Sequence, residues 1–332
     1  MIENCYVNPS GKPWLENVGI LLGLELDGLL VGCPKCKSTG FPMRKYVKGG
    51  KRNPISIIHK NGSKSLRVCS LSEDESDLVR KMVSITEKDL ESMIRYASPY
   101  VLFSGGKDSI CTLMYLKRIA QRVGKRIRAV HVDTTVGLPG SGNHAEELCK
   151  KFDVELAVVK PKKDFFSLAK EWGIPSHKFR WCCRELKIKP LAEYLKTMPE
   201  PKIVLDGIRA AESFIRSSYL PVWYHPTFKC LSASPIFYWS DSEVRGYLEK
   251  GGISKETLNQ LHTSPECWCG AYKSRKDFER LYALSPELFS KLAKLERNSK
   301  TAFTFIYADG VKLTLDSLRN EIEQANNQEA MM

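Results

Sequence analysis

The stretch VLFSGGKDSICTLMYL, residues 101–116, decides how the rest of the chain is read. A stiff apolar run ends at Phe103, two adjacent glycines follow, and Lys107, Asp108 and Ser109 then open an amphipathic helical period. Glycines at a strand-to-helix junction let backbone N–H groups approach a ligand with no Cβ in the way. The helix start adds unpaired N–H groups and the positive end of its dipole, so the turn suits an anion. Ser104, Gly105, Gly106, Lys107, Asp108 and Ser109 are therefore the candidate phosphate-binding residues. The two serines donate hydrogen bonds, Lys107 supplies charge, and Asp108 is placed to hold the Mg²⁺ that accompanies a polyphosphate. The pattern GxxxxGK[ST] of P-loop proteins does not occur.

Working outward, apolar runs at 99–104 (PYVLFS), 126–133 (RIRAVHVD), 154–160 (VELAVVK) and 202–208 (KIVLDGI) alternate with amphipathic stretches such as NHAEELCKKF. Strand alternating with helix predicts an α/β fold: a parallel, twisted, Rossmann-like sheet with helices on both faces and ligands at the carboxyl ends of its strands. The 332 residues, 42% of them hydrophobic, can fill such a core and leave room for smaller domains. No run approaches the roughly 20 apolar residues of a membrane span, and no secretory signal is evident, so a cytoplasmic, membrane-free protein is expected. In a reducing compartment eleven cysteines read as metal ligands or reactive thiols rather than disulfides.

The net charge of +13 is concentrated. Between Cys33 and Ser70 stand ten basic residues and no acidic one, a pattern that predicts a polyanion partner such as nucleic acid, bound through release of counterions. The same segment carries Cys33 and Cys36 in CPKC, then His59 and Cys69, with Cys5 as a substitute donor. A CxxC knuckle followed by further donors, with Gly-Gly and Asn-Gly breaks between short alternating runs, predicts a hairpin ribbon stapled by Zn²⁺ and similar to archaeal zinc ribbons. The organisation expected is a basic ribbon-like domain at 1–75, a helical linker at 76–97 with Ser72 or Ser76 as cap, a nucleotide-binding domain at 98–275, and an accessory α+β region at 276–332. In the last, Ser285 before Pro286 starts a helix, a hairpin turns at Asp309-Gly310, and NNQEAMM is read as frayed.

SGGKDS after a first strand resembles the pyrophosphate loop of the adenine nucleotide α-hydrolase (PP-loop ATP pyrophosphatase) superfamily, whose members cleave ATP between the α and β phosphates. HVDTTVGLPG at 131–140, FRWCCRELKIKPL at 179–191, DGIRAAESFIR at 206–216 and SPIFYWSDSEVRGYL at 234–248 resemble segments of its phosphoadenosine phosphosulfate (PAPS) reductase branch. The resemblance implies ATP with Mg²⁺ at Ser104 to Ser109, adenosine beside His131 and Asp133, and an anionic group reached by Arg209 and Arg216. His131 by itself reads as a histidine packed at a strand end.

Cluster-bearing members of that branch ligate [4Fe–4S] with a CysCys pair and a later CxxC. Here Cys182 and Cys183 are adjacent, but the second pair, Cys267 and Cys269, is CxC, which leaves Cys269 and Cys230 as alternatives for the fourth ligand. Zinc, or buried thiols with no metal, are the other readings. The branch's reductases resemble one another in a cysteine on a terminal tail, and no cysteine follows Cys269 in this sequence. An intact ATP loop and a basic ribbon then point to adenylation of a nucleic acid, tRNA or DNA, for iron–sulfur-assisted sulfur transfer. Two alternatives remain: an APS or PAPS reductase with Cys267 or Cys269 as nucleophile, and a nucleotide-sensing nucleic-acid-binding module. The partners expected are nucleic acid, a sulfur donor protein or thioredoxin, and a second copy of the chain in a homodimer.

Overall fold

The computed structural model describes residues 85–332 apart from 177, 214–215, 217–218, 220, 226, 255–264, 302, 304–306, 309–310, 313 and 331–332, together with the backbone of five short strands before them. Those strands, β1 (Cys5–Val7), β2 (Val31–Gly32), β3 (Thr39–Met43), β4 (Ile55–His59) and β5 (Leu66–Cys69), form an antiparallel sheet in the order β1-β5-β4-β3-β2. Cys33 and Cys36, between β2 and β3, lie outside the described residues, as do the side chains of His59, Cys69 and Cys5. The backbone register sets His59 opposite Gly40, and Cys69 opposite Ile55 and Cys5.

The α/β unit runs α1 (Glu87–Tyr96), β6 (Ser98–Leu102), α2 (Lys107–Arg122), β7 (Arg128–Val132), α3 (Ser141–Lys151), β8 (Glu155–Val159) and α4 (Phe165–Trp172). It continues through α5 (Trp181–Cys183), a π-helical turn over Arg184–Ile188, α6 (Lys189–Lys196), β9 (Lys202–Leu205), β10 (Val222–His225), β11 (Cys230–Ala233) and α7 (Asp241–Lys250). The sheet order is β10-β11-β9-β6-β7-β8, parallel throughout except for the edge strand β10. The chain moves outward from β6 to β7 and β8, then returns to place β9 on the other side of β6. The carboxyl end of β6 therefore lies at the topological switch point, where open α/β sheets bind ligands.

Both faces of the sheet are buried, and the two-residue period of a strand sorts its side chains. Val101, Ala129, Ile203 and Leu205 pack with Leu90, Met93 and Ile94 of α1 and Ile110, Leu113 and Leu116 of α2. Tyr100, Val130 and Val204 face the other way, against Leu191 and Leu195 of α6. The described part of the helix expected at 76–97, Glu87–Tyr96, packs into this core, while Ser72 and Ser76 lie outside the described residues. Its cap is Thr86: the hydroxyl accepts from the Asp89 N–H at 3.2 Å, and the Asp89 carboxylate accepts from the Thr86 N–H at 2.9 Å, a closed capping box.

In the C-terminal region α8 (Arg275–Leu284) and α9 (Pro286–Arg297) precede a short pair, β12 (Tyr307–Ala308) and β13 (Val311–Lys312), and α10 (Leu315–Ala330). Ser285 caps α9, accepting from the Leu288 N–H, and β12 pairs with β13 across positions 309–310, as the sequence implies. The NNQE segment read as frayed instead continues α10 to Ala330. Phe278, Phe289, Leu292 and Leu315 of this region enclose Trp181, Cys182, Trp268 and Cys269 in a separate apolar cluster. Leu113 has no exposed surface and sits between sheet and helices, so Leu113→Ala should lower stability by about 2–5 kcal/mol through lost burial and a cavity. Urea denaturation should show that loss with unchanged cooperativity.

Candidate active site

The loop after β6 closes on itself. The Ser104 N–H and hydroxyl donate to Ser109 Oγ at 3.3 and 3.2 Å, and Ser109 Oγ donates to the Gly106 carbonyl at 2.8 Å. Gly105 takes φ +72°, a left-handed conformation that a side chain would resist. Helices α1, α7 and α8 begin with serine or threonine caps, whereas α2 begins at Gly106 with no side-chain cap. Its first N–H groups are left for a ligand, as an anion site requires.

The charges above this loop are assembled from three segments. Arg209, only 4% exposed, donates from Nε to Asp108 Oδ1 at 2.9 Å, from one terminal nitrogen to Asp241 Oδ1 at 3.1 Å, and from the other to the Trp239 carbonyl at 3.1 Å. Lys107 donates to Asp241 and lies 4.0 Å from Asp108. Burial pushes the Asp108 carboxyl up, against the pull of Arg209 and Lys107. The hydrogen bond from Lys107 holds the Asp241 carboxyl well below the usual carboxylate range. Asp241 thus occupies both cations that a polyphosphate would use. Arg216 is paired with Glu212.

Beside this cluster, a cleft of about 510 Å³ opens at the carboxyl ends of β7 and β8, lined by Asp133, Thr135, Gly137, Ser141 and Lys160. Asp133 Oδ1 accepts from the Thr135 N–H at 2.8 Å, and its Oδ2 lies 3.0 Å from Lys160 Nζ. His131 is wholly buried, so it supports the cleft from behind: Nδ1 contacts the Phe103 carbonyl at 2.9 Å, and Nε2 lies 3.3 Å from the Glu266 carboxylate.

The cysteines 85 residues apart in sequence meet. Cys182 Sγ donates to Cys269 Sγ at 3.3 Å, and Cys267 Sγ donates to the same sulfur at 3.5 Å. Two thiol donors favour the thiolate of Cys269, so its pKa falls while those of Cys182 and Cys267 rise. The hydrogen bond from Cys182 likewise lowers the thiol of Cys183 to about 7. Lys187, from the π-helical turn, stands among the thiols, and the thiolate forms of Cys267, then Cys183 and Cys269, would push its ammonium pKa up. Cys230 lies elsewhere, in the core cluster with Tyr100 and Val204, so Cys269 is the fourth member of the set.

Among the described residues, no group of three or more His, Cys, Asp or Glu side chains is placed so that it could hold a metal ion. By donor chemistry four thiols with a lysine counter-charge fit a thiophilic centre. Two thiolates sharing one tetrahedral ion at about 2.3 Å stand roughly 3.8 Å apart, a little wider than the separations here. A four-iron cluster sets each thiolate on its own iron and requires a wider spread.

Three residues of this site were not singled out from the sequence. Asp241, in Ser-Asp-Ser-Glu, carries only the signature of a helix cap. Glu266 directly precedes Cys267, and Lys187 follows Cys183 by one helical turn, which are the signals that point to them.

The phosphoadenosine phosphosulfate reductase domain model matches residues 98–281, more than half of the chain. The chain belongs to that family. Two curated relatives from Methanocaldococcus jannaschii are the uncharacterized protein MJ0066, 32% identical over 165 residues (49% of this chain, 33% of the relative), and the uncharacterized protein MJ0973, 30% identical over 192 residues (57% and 45%). The chain thus spans under half the length of either. Among solved structures, a PAPS reductase from Candida auris is similar with a TM-score of 0.44 and 17% identity, covering 60% of this chain and 97% of that one.

If Asp241 competes with phosphate for Lys107 and Arg209, Asp241→Asn should bind inorganic pyrophosphate about tenfold more tightly, the worth of roughly 1.4 kcal/mol. Isothermal titration calorimetry reads this directly, and unchanged or weaker binding counts against the competition.

Proposed function

We propose that this PAPS reductase-family chain is an ATP pyrophosphatase that adenylates a nucleic-acid acceptor, tRNA or DNA, for sulfur transfer. One observation carries the reading: an uncapped glycine turn at the switch point, topped by Lys107 and Arg209, stands directly against a loop bearing two of four gathered cysteines. The turn's N–H groups, Lys107 and Arg209 neutralise the β and γ phosphates. Asp108, released from Arg209 as phosphate binds, holds Mg²⁺. An acceptor oxygen then attacks the α-phosphorus, the α–β bond breaks and pyrophosphate leaves. A sulfur nucleophile next attacks the adenylated carbon; the C–S bond forms, the C–O bond breaks and AMP departs with the oxygen. The basic 33–70 segment supplies the charge for the acceptor's backbone.

Cys182, Cys183, Cys267 and Cys269 would hold a [4Fe–4S] cluster, with Lys187 balancing its charge. When bound, the cluster supplies an iron able to carry the transferred sulfur. The close sulfur separations favour a second reading of the same thiols, a single Zn²⁺. Anaerobic purification with iron, sulfide and zinc analysis separates them. About four irons per chain supports the cluster, while zinc alone removes it.

The reaction itself is tested by mixing the chain with ATP, Mg²⁺ and total tRNA or DNA and measuring AMP and pyrophosphate. Asp108→Ala should lower the rate by about a hundredfold or more, as loss of a metal-holding or charge-stabilising group does. Thioredoxin-dependent release of sulfite from APS or PAPS, with ATP left intact, would instead establish a reductase.

A further inference from the structure

Glu266 is a carboxylate only 4% exposed, and nothing in the adenylation chemistry uses it. A buried carboxylate is tolerated only when its lone pairs are met. Here Thr134 Oγ1 donates to it at 2.9 Å, the Thr134 N–H at 3.4 Å, Ser141 Oγ also donates, and His131 Nε2 lies 3.3 Å away. His131 in turn contacts the Phe103 carbonyl, one residue before the phosphate loop. A polar path thus runs from the end of β6 through His131 and Glu266 to the peptide of Cys267.

The backbone on either side of Glu266 is fastened to the same turn. The Leu138 N–H donates to the Pro265 carbonyl at 2.8 Å, and the Trp268 N–H donates to the Val136 carbonyl at 2.7 Å. Between these anchors Cys267 is held at φ +69°, a left-handed conformation that a non-glycine residue keeps only when its surroundings impose it. The fit is close. A Cβ on Gly137 would lie 2.7 Å from a Glu266 carboxylate oxygen, and one on Gly105 would touch Pro265 at 3.5 Å. The loop that carries Cys267 and Cys269 is therefore fastened by hydrogen bonds to the segment 133–138 and packs closely against Gly105 of the segment 104–109, the two segments that border the nucleotide site.

We infer that Glu266 is a positioning residue that couples occupancy of the phosphate loop to the conformation of the cysteine loop 265–270. The inference rests on the nucleotide reading above and adds to it: ATP binding sets the thiols in place. A carboxylate whose donors lie on the turn after β7, and whose neighbour His131 contacts the Phe103 carbonyl at the entry to the phosphate loop, transmits displacement of either part, because separating them would leave a charge buried without its partners.

Hydrogen–deuterium exchange of peptides covering 265–271 in the full-length chain, with and without ATP and Mg²⁺, reads the coupling whether or not metal is bound. Calorimetric ATP titrations of the same preparations run beside it. In the native protein, saturating ATP should slow exchange in this segment by about fivefold or more. In Glu266→Gln, ATP should still bind within about threefold of native affinity while the exchange difference falls below about twofold. Thr134→Val leaves Glu266 in place but removes the hydroxyl that donates to its carboxylate at 2.9 Å, and should lose the difference likewise while ATP still binds, which keeps the test decisive if Glu266→Gln folds poorly. If ATP binds and exchange at 265–271 does not change, or if both variants respond as the native chain does, the coupling is overturned and the nucleotide reading stands. If the native chain binds no ATP, the nucleotide reading fails and the coupling with it.

Discussion

The pairing of β6 with β7 on one side and β9 on the other is the constraint on which the rest depends. A parallel strand buried on both faces and hydrogen-bonded along both edges cannot shift, so the turn at its carboxyl end is presented at a fixed place between two diverging crossovers. The Ser104–Ser109 turn inherits that rigidity. The anion role proposed for it rests on local facts alone: left-handed Gly105, the uncapped start of α2, and a lysine on the first helical residue.

What surrounds the turn comes from the other strand ends. Arg209 follows β9, Asp241 begins α7, and Asp133 closes β7, so residues far apart in sequence share one rim. Without a ligand, the cations and carboxylates there satisfy one another. That arrangement is stable because each buried charge has a partner, and it is exchangeable because Asp241 lies at the solvent edge. The cysteine pocket is built differently. Its walls are the apolar side chains of α8, α9 and α10, and Lys187 and Lys273 bring positive charge to its thiols. Low polarity strengthens every interaction inside it, whether between thiol and thiolate or between thiolate and metal.

A buried carboxylate joins these two unlike environments. Glu266 belongs by sequence to the cysteine loop and by hydrogen bonding to the turn after β7. Such a group ties the parts together more specifically than apolar contact, since apolar surfaces slide at little cost and a buried charge cannot be parted from its donors.

The amino-acid sequence by itself determined the parallel α/β core, the glycine turn between β6 and α2 and the grouping of two cysteine pairs, because each is a local matter of periodicity, glycine placement and spacing. Whether a short amphipathic helix docks, as Leu90, Met93 and Ile94 do, depends on a surface formed by distant residues. Only the tertiary structure decided that Cys269 rather than Cys230 completes the thiol set, that Asp241 stands on the cations of the phosphate site, and that Glu266 is buried. Each of these turns on which strand ends and loops meet in space, and a carboxylate or thiol carries no mark of its future partners until the chain has closed around it.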